Sequence, residues 1–104
     1  MANMMKMMKQ AASMQKNMES LQNELADRTV EFSAGGGMIT VVAKGDISIK
    51  SIKIDPSAVD PDDLEMLEDL ILAGVDGALK QAQEMVSAEM SKLTQGLNIP
   101  GLSL

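Results

Sequence analysis

The chain has 104 residues and a net charge of −6, with no cysteine or histidine and with Phe32 as its only aromatic residue. This length supports one domain, and the missing side chains exclude cysteine- and histidine-ligated zinc sites, thiol nucleophiles and histidine acid–base chemistry. Because no stretch has the apolar run of a signal peptide or a membrane span, we expect a cytoplasmic protein. We also expect it to be neither an enzyme nor dependent on a cofactor.

The charge is unevenly distributed along the chain. Residues 1–54 carry seven basic and five acidic side chains, whereas residues 55–104 carry two lysines and ten acids. The first 18 residues contain three lysines and no acid. Such a polarised chain can present a basic end to DNA while its acidic body keeps it soluble.

The first segment, from about Ala2 to Asp27, predicts one long helix because it lacks glycine and proline and is rich in helix-favouring residues. Apolar residues recur along it at alternating steps of three and four, the heptad pattern of helix pairing. This heptad seam consists of Met4, Met7, Ala11, Met14, Met18, Leu21 and Leu25. We expect the seam to pack against another helix or against a second copy of the chain.

The opposite side of the same helix is a polar stripe that carries Lys6, Lys9 and Lys16 and no acid. A stripe of this kind is often only a solvated face. Lysines separated by one and two helical turns can also follow a polyanion, so contact with phosphate is the competing interpretation. Soft-metal binding by the methionines is less favoured, because histidine and cysteine are absent and methionine fills packing seams well.

Three short strands should follow the helix, at residues 29–33, 38–44 and 47–54. The first alternates apolar and polar residues, and the other two are rich in β-branched residues. A run of three glycines, residues 35–37, separates the first two strands, and Gly45-Asp46 predicts a tight turn between the second and third. Short loops between successive strands indicate an antiparallel meander.

The third strand contains a slip in its alternation. Ile47 and Ile49 share one parity, while Ile52 and Ile54 share the other. A β-bulge near Lys50-Ser51 would bring all four isoleucines to one face; the alternative is a strand whose second half is covered on its other side. We favour the bulge.

A second helix should begin at Asp60-Pro61, with Asp60 as its N-cap and Pro61 in its first turn, and continue to about Thr94. Gly74 and Gly77 lie inside it, and we expect them to allow close approach of the helix to the sheet or to a partner. The predicted buried stripe consists of Leu64, Leu67, Leu70, Ile71, Val75, Ala78, Leu79, Ala82, Met85 and Val86. The sequence therefore predicts an α+β fold with a single domain at residues 1–95 and a flexible tail at residues 96–104.

Several segments together resemble the YbaB/EbfC family of bacterial nucleoid-associated proteins. The most specific is Ile-Asp-Pro-Ser at residues 54–57, followed by Glu-Met-Leu-Glu-Asp-Leu at residues 65–70 and an alanine-rich helix. The long methionine- and lysine-rich first helix, the glycine hairpin and the Gly/Leu/Pro ending agree with it. The resemblance covers almost the whole chain.

The resemblance implies a homodimer with projecting helical arms that binds DNA in the nucleoid. Because the single aromatic residue offers no stacking platform for single strands or RNA, we expect the ligand to be double-stranded DNA. The basic helix positions that match are Lys6, Lys9 and Lys16, with Lys80 and Lys92 on the second helix as weaker candidates. Affinity would come mostly from phosphate contacts, with little base specificity. A dimeric adaptor that docks replication or repair proteins, without direct DNA binding, is the alternative hypothesis.

Overall fold

The computed structural model describes residues 2–97 and confirms the predicted α+β class. Its elements are helix α1 (Ala2–Asp27), strands β1 (Thr29–Ala34), β2 (Ile39–Lys44) and β3 (Ser48–Ile54), a 3-10 turn at Pro56–Ala58, and helix α2 (Leu64–Leu97). The strands form an antiparallel sheet in the order β1-β2-β3, as a meander requires. Helix α2 extends three residues beyond its expected end. The rest of the predicted tail, residues 98–104, lies outside the described residues.

The two hairpin turns differ in which residues adopt positive φ angles. In the β1–β2 turn, Gly35, Gly36 and Gly37 have φ angles of 64°, 66° and 95°, a left-handed conformation that glycine adopts without strain. In the β2–β3 turn the residue with positive φ is Ile47, at 62°. The prediction that the third strand begins at Ile47 was therefore wrong, because this residue completes a three-residue turn and β3 begins at Ser48.

The predicted bulge in β3 is present. Val42 pairs with Ser51 while the next residue, Ala43, pairs with Ile49, which leaves Lys50 as the extra residue. Beyond it, Ile52 lies opposite Val41. The bulge thus brings three of the four isoleucines, at positions 49, 52 and 54, to the face of the buried β2 side chains. Ile47 is excluded from this face by its place in the turn.

The core lies between one face of the sheet and α2. The buried residues that form it are Ile39, Val41, Ala43, Ala58, Ala78 and Ala82. Gly77 lies so close to the sheet that a Cβ atom added there would be 2.2 Å from Cε1 of Phe32, and one added at Gly74 would be 2.9 Å from Cγ2 of Val41. The expected role of these two glycines, close approach of the helix to the sheet, is confirmed.

The start of α2 differs from the prediction. Asp63, not Asp60, caps the helix: its Oδ1 accepts a hydrogen bond of 3.2 Å from the backbone N–H of Met66. Asp60 instead accepts a hydrogen bond of 2.9 Å from the N–H of Asp62 within the preceding turn. Because the helix begins later, Leu64 lies in its first turn and is exposed, although it was expected in the buried stripe.

Helix α1 is anchored to the body at its C-terminal end. Leu25 is only 1% exposed, and the Gly45 N–H donates a 2.9 Å hydrogen bond to the carbonyl of Arg28. A Cβ atom at Gly45 would lie 1.8 Å from the Leu25 carbonyl oxygen, so only glycine permits this approach. From this anchor α1 projects as an arm, and the molecule measures 75 × 24 × 16 Å.

Candidate nucleic-acid interface

The candidate interface is the lysine face of the α1 arm. All side chains from residue 3 to residue 20 are exposed, except that of Met14, which is half-buried. Lys6 and Lys16 are ten residues apart, or about 15 Å along the helix axis. The arm therefore holds its three lysines on a rigid, accessible rod.

The arm lysines also lack acidic neighbours. None of Lys6, Lys9 and Lys16 has an ion pair with an acidic side chain of residues 3–93, and the first acid along the helix is Glu19. The basic residues near the anchor differ, since Arg28 pairs with Glu24 at 3.1 Å and with Glu89 at 3.5 Å. Along α1, the basic side chains without an acidic partner thus lie on the part of the helix that precedes Glu19.

The two lysines predicted on α2 have less favourable surroundings. Lys92 Nζ is 3.3 Å from Glu89 Oε1. Lys80 is exposed, but Asp76 and Glu84 stand one helical turn before and after it on the same side of the helix. Both lysines remain predictions, and the adjacent carboxylates lower the potential that a phosphate would meet there.

The sequence reasoning missed two other exposed lysines, Lys50 and Lys53 on β3. Neither has an ion pair with an acidic side chain in the described part of the chain. Lys53 pairs with Thr40 across the sheet, which places it on the face opposite the core. They could have been found from the sequence, because lysine alternates with isoleucine at residues 49–54 and this pattern indicates a strand with one basic side.

The heptad seam is mostly uncovered within the chain. Met4 and Met7 are 72% and 67% exposed, and Met18 is also exposed. Burial is greater at Met14, which is half-buried, and toward the anchor, where Leu21 is half-buried and Leu25 is buried. The second helix of the same chain therefore does not supply the expected packing partner along most of the arm.

The acidic residues outside the arm are candidate ligands for a metal ion. Among residues 3–93, no three acidic side chains are grouped closely enough to hold a metal ion. The Ser57 N–H, at 2.9 Å, and the Ser57 hydroxyl, at 2.7 Å, both donate to Asp55 Oδ1 and hold the pKa of Asp55 below its ordinary value. Neither helix, over its described residues, combines the length and apolar character that crossing a membrane requires.

Fold and surface together define an α+β protein with a projecting helical arm whose lysine stripe contains no acid. The YbaB/EbfC DNA-binding family model matches residues 1–97, and the chain belongs to this family. Its relatives include proteins named nucleoid-associated protein from Desulforamulus reducens, 61% identical over 96% of this chain and 95% of the relative, and from Moorella thermoacetica, 57% identical over 97% of both. A third, from Pelotomaculum thermopropionicum, is 59% identical over 96% of this chain and 95% of its own length.

A solved structure supports the fold independently. The crystal structure of an uncharacterized protein from Helicobacter pylori matches with a TM-score of 0.57 over 85% of this chain and 95% of that chain, at 20% sequence identity. At this identity the likeness concerns the fold alone.

Proposed function

We propose that this protein binds double-stranded DNA as a homodimer, through phosphate contacts made by Lys6, Lys9 and Lys16 of each α1 arm. Family membership and the relatives' name, nucleoid-associated protein, support DNA as the ligand and the bacterial nucleoid in the cytoplasm as the location. Binding has little base specificity, because lysine contacts to phosphate fix position without reading sequence. In this role the protein carries out no catalysis.

The proposal rests on one observation, that the arm carries exposed lysines without acidic partners. Three exposed lysines share one helical face, none is paired with an acid of the described residues, and no acid precedes Glu19. The acidic body contributes most of the net charge of −6, so DNA approaches the arms and avoids α2. Two arms in a dimer act together, which compensates for weak binding by each one.

The incomplete cover of the sheet supports the homodimer. Helix α2 covers β1 and β2, and Val41 and Ile39 of β2 are fully buried. Their partners across the strand pair, Ile52 and Ile54 of β3, share that face yet are 42% and 40% exposed. A second copy that covers this apolar strip would remove its side chains from water, and this burial would stabilise the dimer.

The test is duplex binding measured by fluorescence anisotropy over a series of salt concentrations. If three lysines from each of two chains contact phosphates, the six contacts give a slope of log K against log salt of roughly −5. Changing Lys6, Lys9 and Lys16 together to Glu should abolish binding. Circular dichroism and light scattering verify that the fold and the oligomer persist.

A matched control variant changes three lysines outside the arm to Glu, so that its net charge equals that of the arm variant. Lys50, Lys53 and Lys80 are also exposed and unpaired with acids of the described residues, and changing these three to Glu should leave most of the binding. If the control variant loses DNA binding while the arm variant keeps it, the DNA-binding site lies on the sheet and α2 and not on the arm. No binding by the unmodified protein at low salt would favour the adaptor that serves replication or repair proteins.

A further inference from the structure

The exposed methionines at the tip of α1 form a surface that the proposed DNA contacts do not use. Met4, Met5, Met7 and Met8 are each two-thirds or more exposed. Met4, Met7 and Met8 lie on or beside the N-terminal end of the heptad seam, away from the lysines, whereas Met5 stands one helical turn before Lys9 and extends this surface toward the polar side. A contiguous apolar surface of this kind is characteristic of a site that another molecule covers.

The pattern on the arm specifies another helix as that molecule. The seam repeats at steps of three and four, so it matches a helix that carries the same repeat. The positions that flank the seam in a helix pair are uncharged as far as residue 22: Met8, Gln10, Gln15, Asn17 and Gln22. Two copies of a basic arm can therefore lie side by side without like charges meeting.

A membrane surface fits this pattern less well. Basic helices that lie on anionic lipid place lysines at the border of the apolar face, where they reach the headgroups. Here Lys6 and Lys9 occupy outer heptad positions, and of the four exposed methionines only Met5 lies beside them. When seams pair, these lysines point outward and stay available to DNA.

The methionine tip is also remote from the open strip of the sheet. Ile54 pairs with Ile39 at one end of β2, whereas α1 docks beside Gly45, beyond the other end. From the anchor at Leu25 the arm extends about 31 Å to Met4, away from the body. A partner seated on Ile52 and Ile54 leaves the tip uncovered, so the strip and the tip are separate apolar surfaces.

We propose that the methionine face of α1 pairs with the same face of an arm from another dimer. The inference rests on the proposed function, because it takes the sheet-edge dimer as its building block. Two self-complementary surfaces at different places on one chain join dimers into tetramers and, where the contacts do not close on themselves, into open chains. Each pair of arms then carries lysines on both outer sides, so that one joint can hold two separate DNA segments.

Sedimentation velocity of the full-length protein without DNA, over a range of concentrations, tests the proposal. The unmodified protein should pass from dimers to tetramers and larger species. Changing Met4 and Met7 to Gln should weaken association of dimers at least about tenfold, since four apolar side chains are lost from each joint. Changing Lys6 and Lys9 to Gln, a control in the same helical turns, should leave association intact.

The outcomes separate this proposal from the function on which it rests. An unmodified protein that remains dimeric at every concentration overturns the arm pairing and leaves the proposed function standing. If the Met4 and Met7 changes convert dimers to monomers, the seam lies inside the dimer and the pairing of dimers is wrong. An unmodified protein that is monomeric contradicts the homodimer itself.

Discussion

At the scale of single residues, Gly77 shows how closely α2 lies on the sheet. Replacing it with alanine would gain about 1 kcal/mol of helix propensity, but the new methyl group would overlap the Phe32 ring. We expect Gly77→Ala to lower the free energy of unfolding by about 1–3 kcal/mol, because overpacking a rigid contact exceeds the propensity gain. Chemical denaturation measures it.

The control for that change is Phe32→Leu. If the ring is the obstacle, Gly77→Ala should cost less in a Phe32→Leu background than in the unmodified protein. A stabilised Gly77→Ala protein would show that the ring moves aside freely.

The Asp55 carboxylate gives a pH-dependent expectation at the same scale. Its pKa is lowered by hydrogen bonds from the Ser57 N–H first and from the Ser57 hydroxyl second. A depressed folded pKa stabilises the fold above the ordinary aspartate pKa of about 4, and this contribution is lost as the pH falls through the folded value. Ser57→Ala should raise the pKa of Asp55 only part of the way, because the backbone donor remains.

Carboxyl titration by NMR checks this assignment. An unchanged Asp55 pKa in the Ser57→Ala protein would mean that the hydroxyl contributes nothing.

At the scale of elements, α1 is anchored at its C-terminal end and mostly exposed along the rest of its length. Leu25 is buried, so Leu25→Ala should lower the free energy of unfolding by about 2–5 kcal/mol. Met7→Ala removes a side chain of similar size from the exposed part of the arm, and should change it by less than about 0.5 kcal/mol. Denaturation below the concentrations at which copies associate compares the two, and equal losses would mean that the arm is packed along its whole length.

At the scale of the whole molecule, the open edge of the sheet predicts self-association. Ile54→Asp places a charge on the strip where we propose that the second copy sits, and should weaken the dimer by about 2 kcal/mol or more. Lys53→Asp changes the adjacent residue on the opposite face, and should leave the dimer intact. Light scattering at matched concentrations distinguishes the two variants.

A dimer that survives Ile54→Asp would place the interface elsewhere. The heptad seam would then be the first alternative, because Met4, Met7 and Met18 are the other exposed apolar residues that follow a regular pattern.

The sequence by itself determined the features that arise from local patterns. Heptad spacing, strand alternation and turn glycines act between near neighbours, so the two helices, the meander, the bulge at Lys50 and the lysine stripe were all predicted. Local signals were less reliable where capping residues are crowded. Asp60, followed by Pro61, was predicted as the helix cap, whereas the hydrogen bond from the Met66 N–H identifies Asp63 as the capping residue.

Only the tertiary structure decided which surfaces remain exposed to solvent, because burial of a side chain depends on packing against residues that are distant in the chain. Helix α2 lies over β1 and β2 and leaves Ile52 and Ile54 exposed, although the bulge brings them to the same face as the buried side chains of β2. The contact of Gly45 with the Leu25 carbonyl sets where the arm leaves the body. Pairing between Arg28 and Glu89 likewise neutralises charge near the anchor and leaves it free at the tip, since ion pairs form wherever packing brings side chains together.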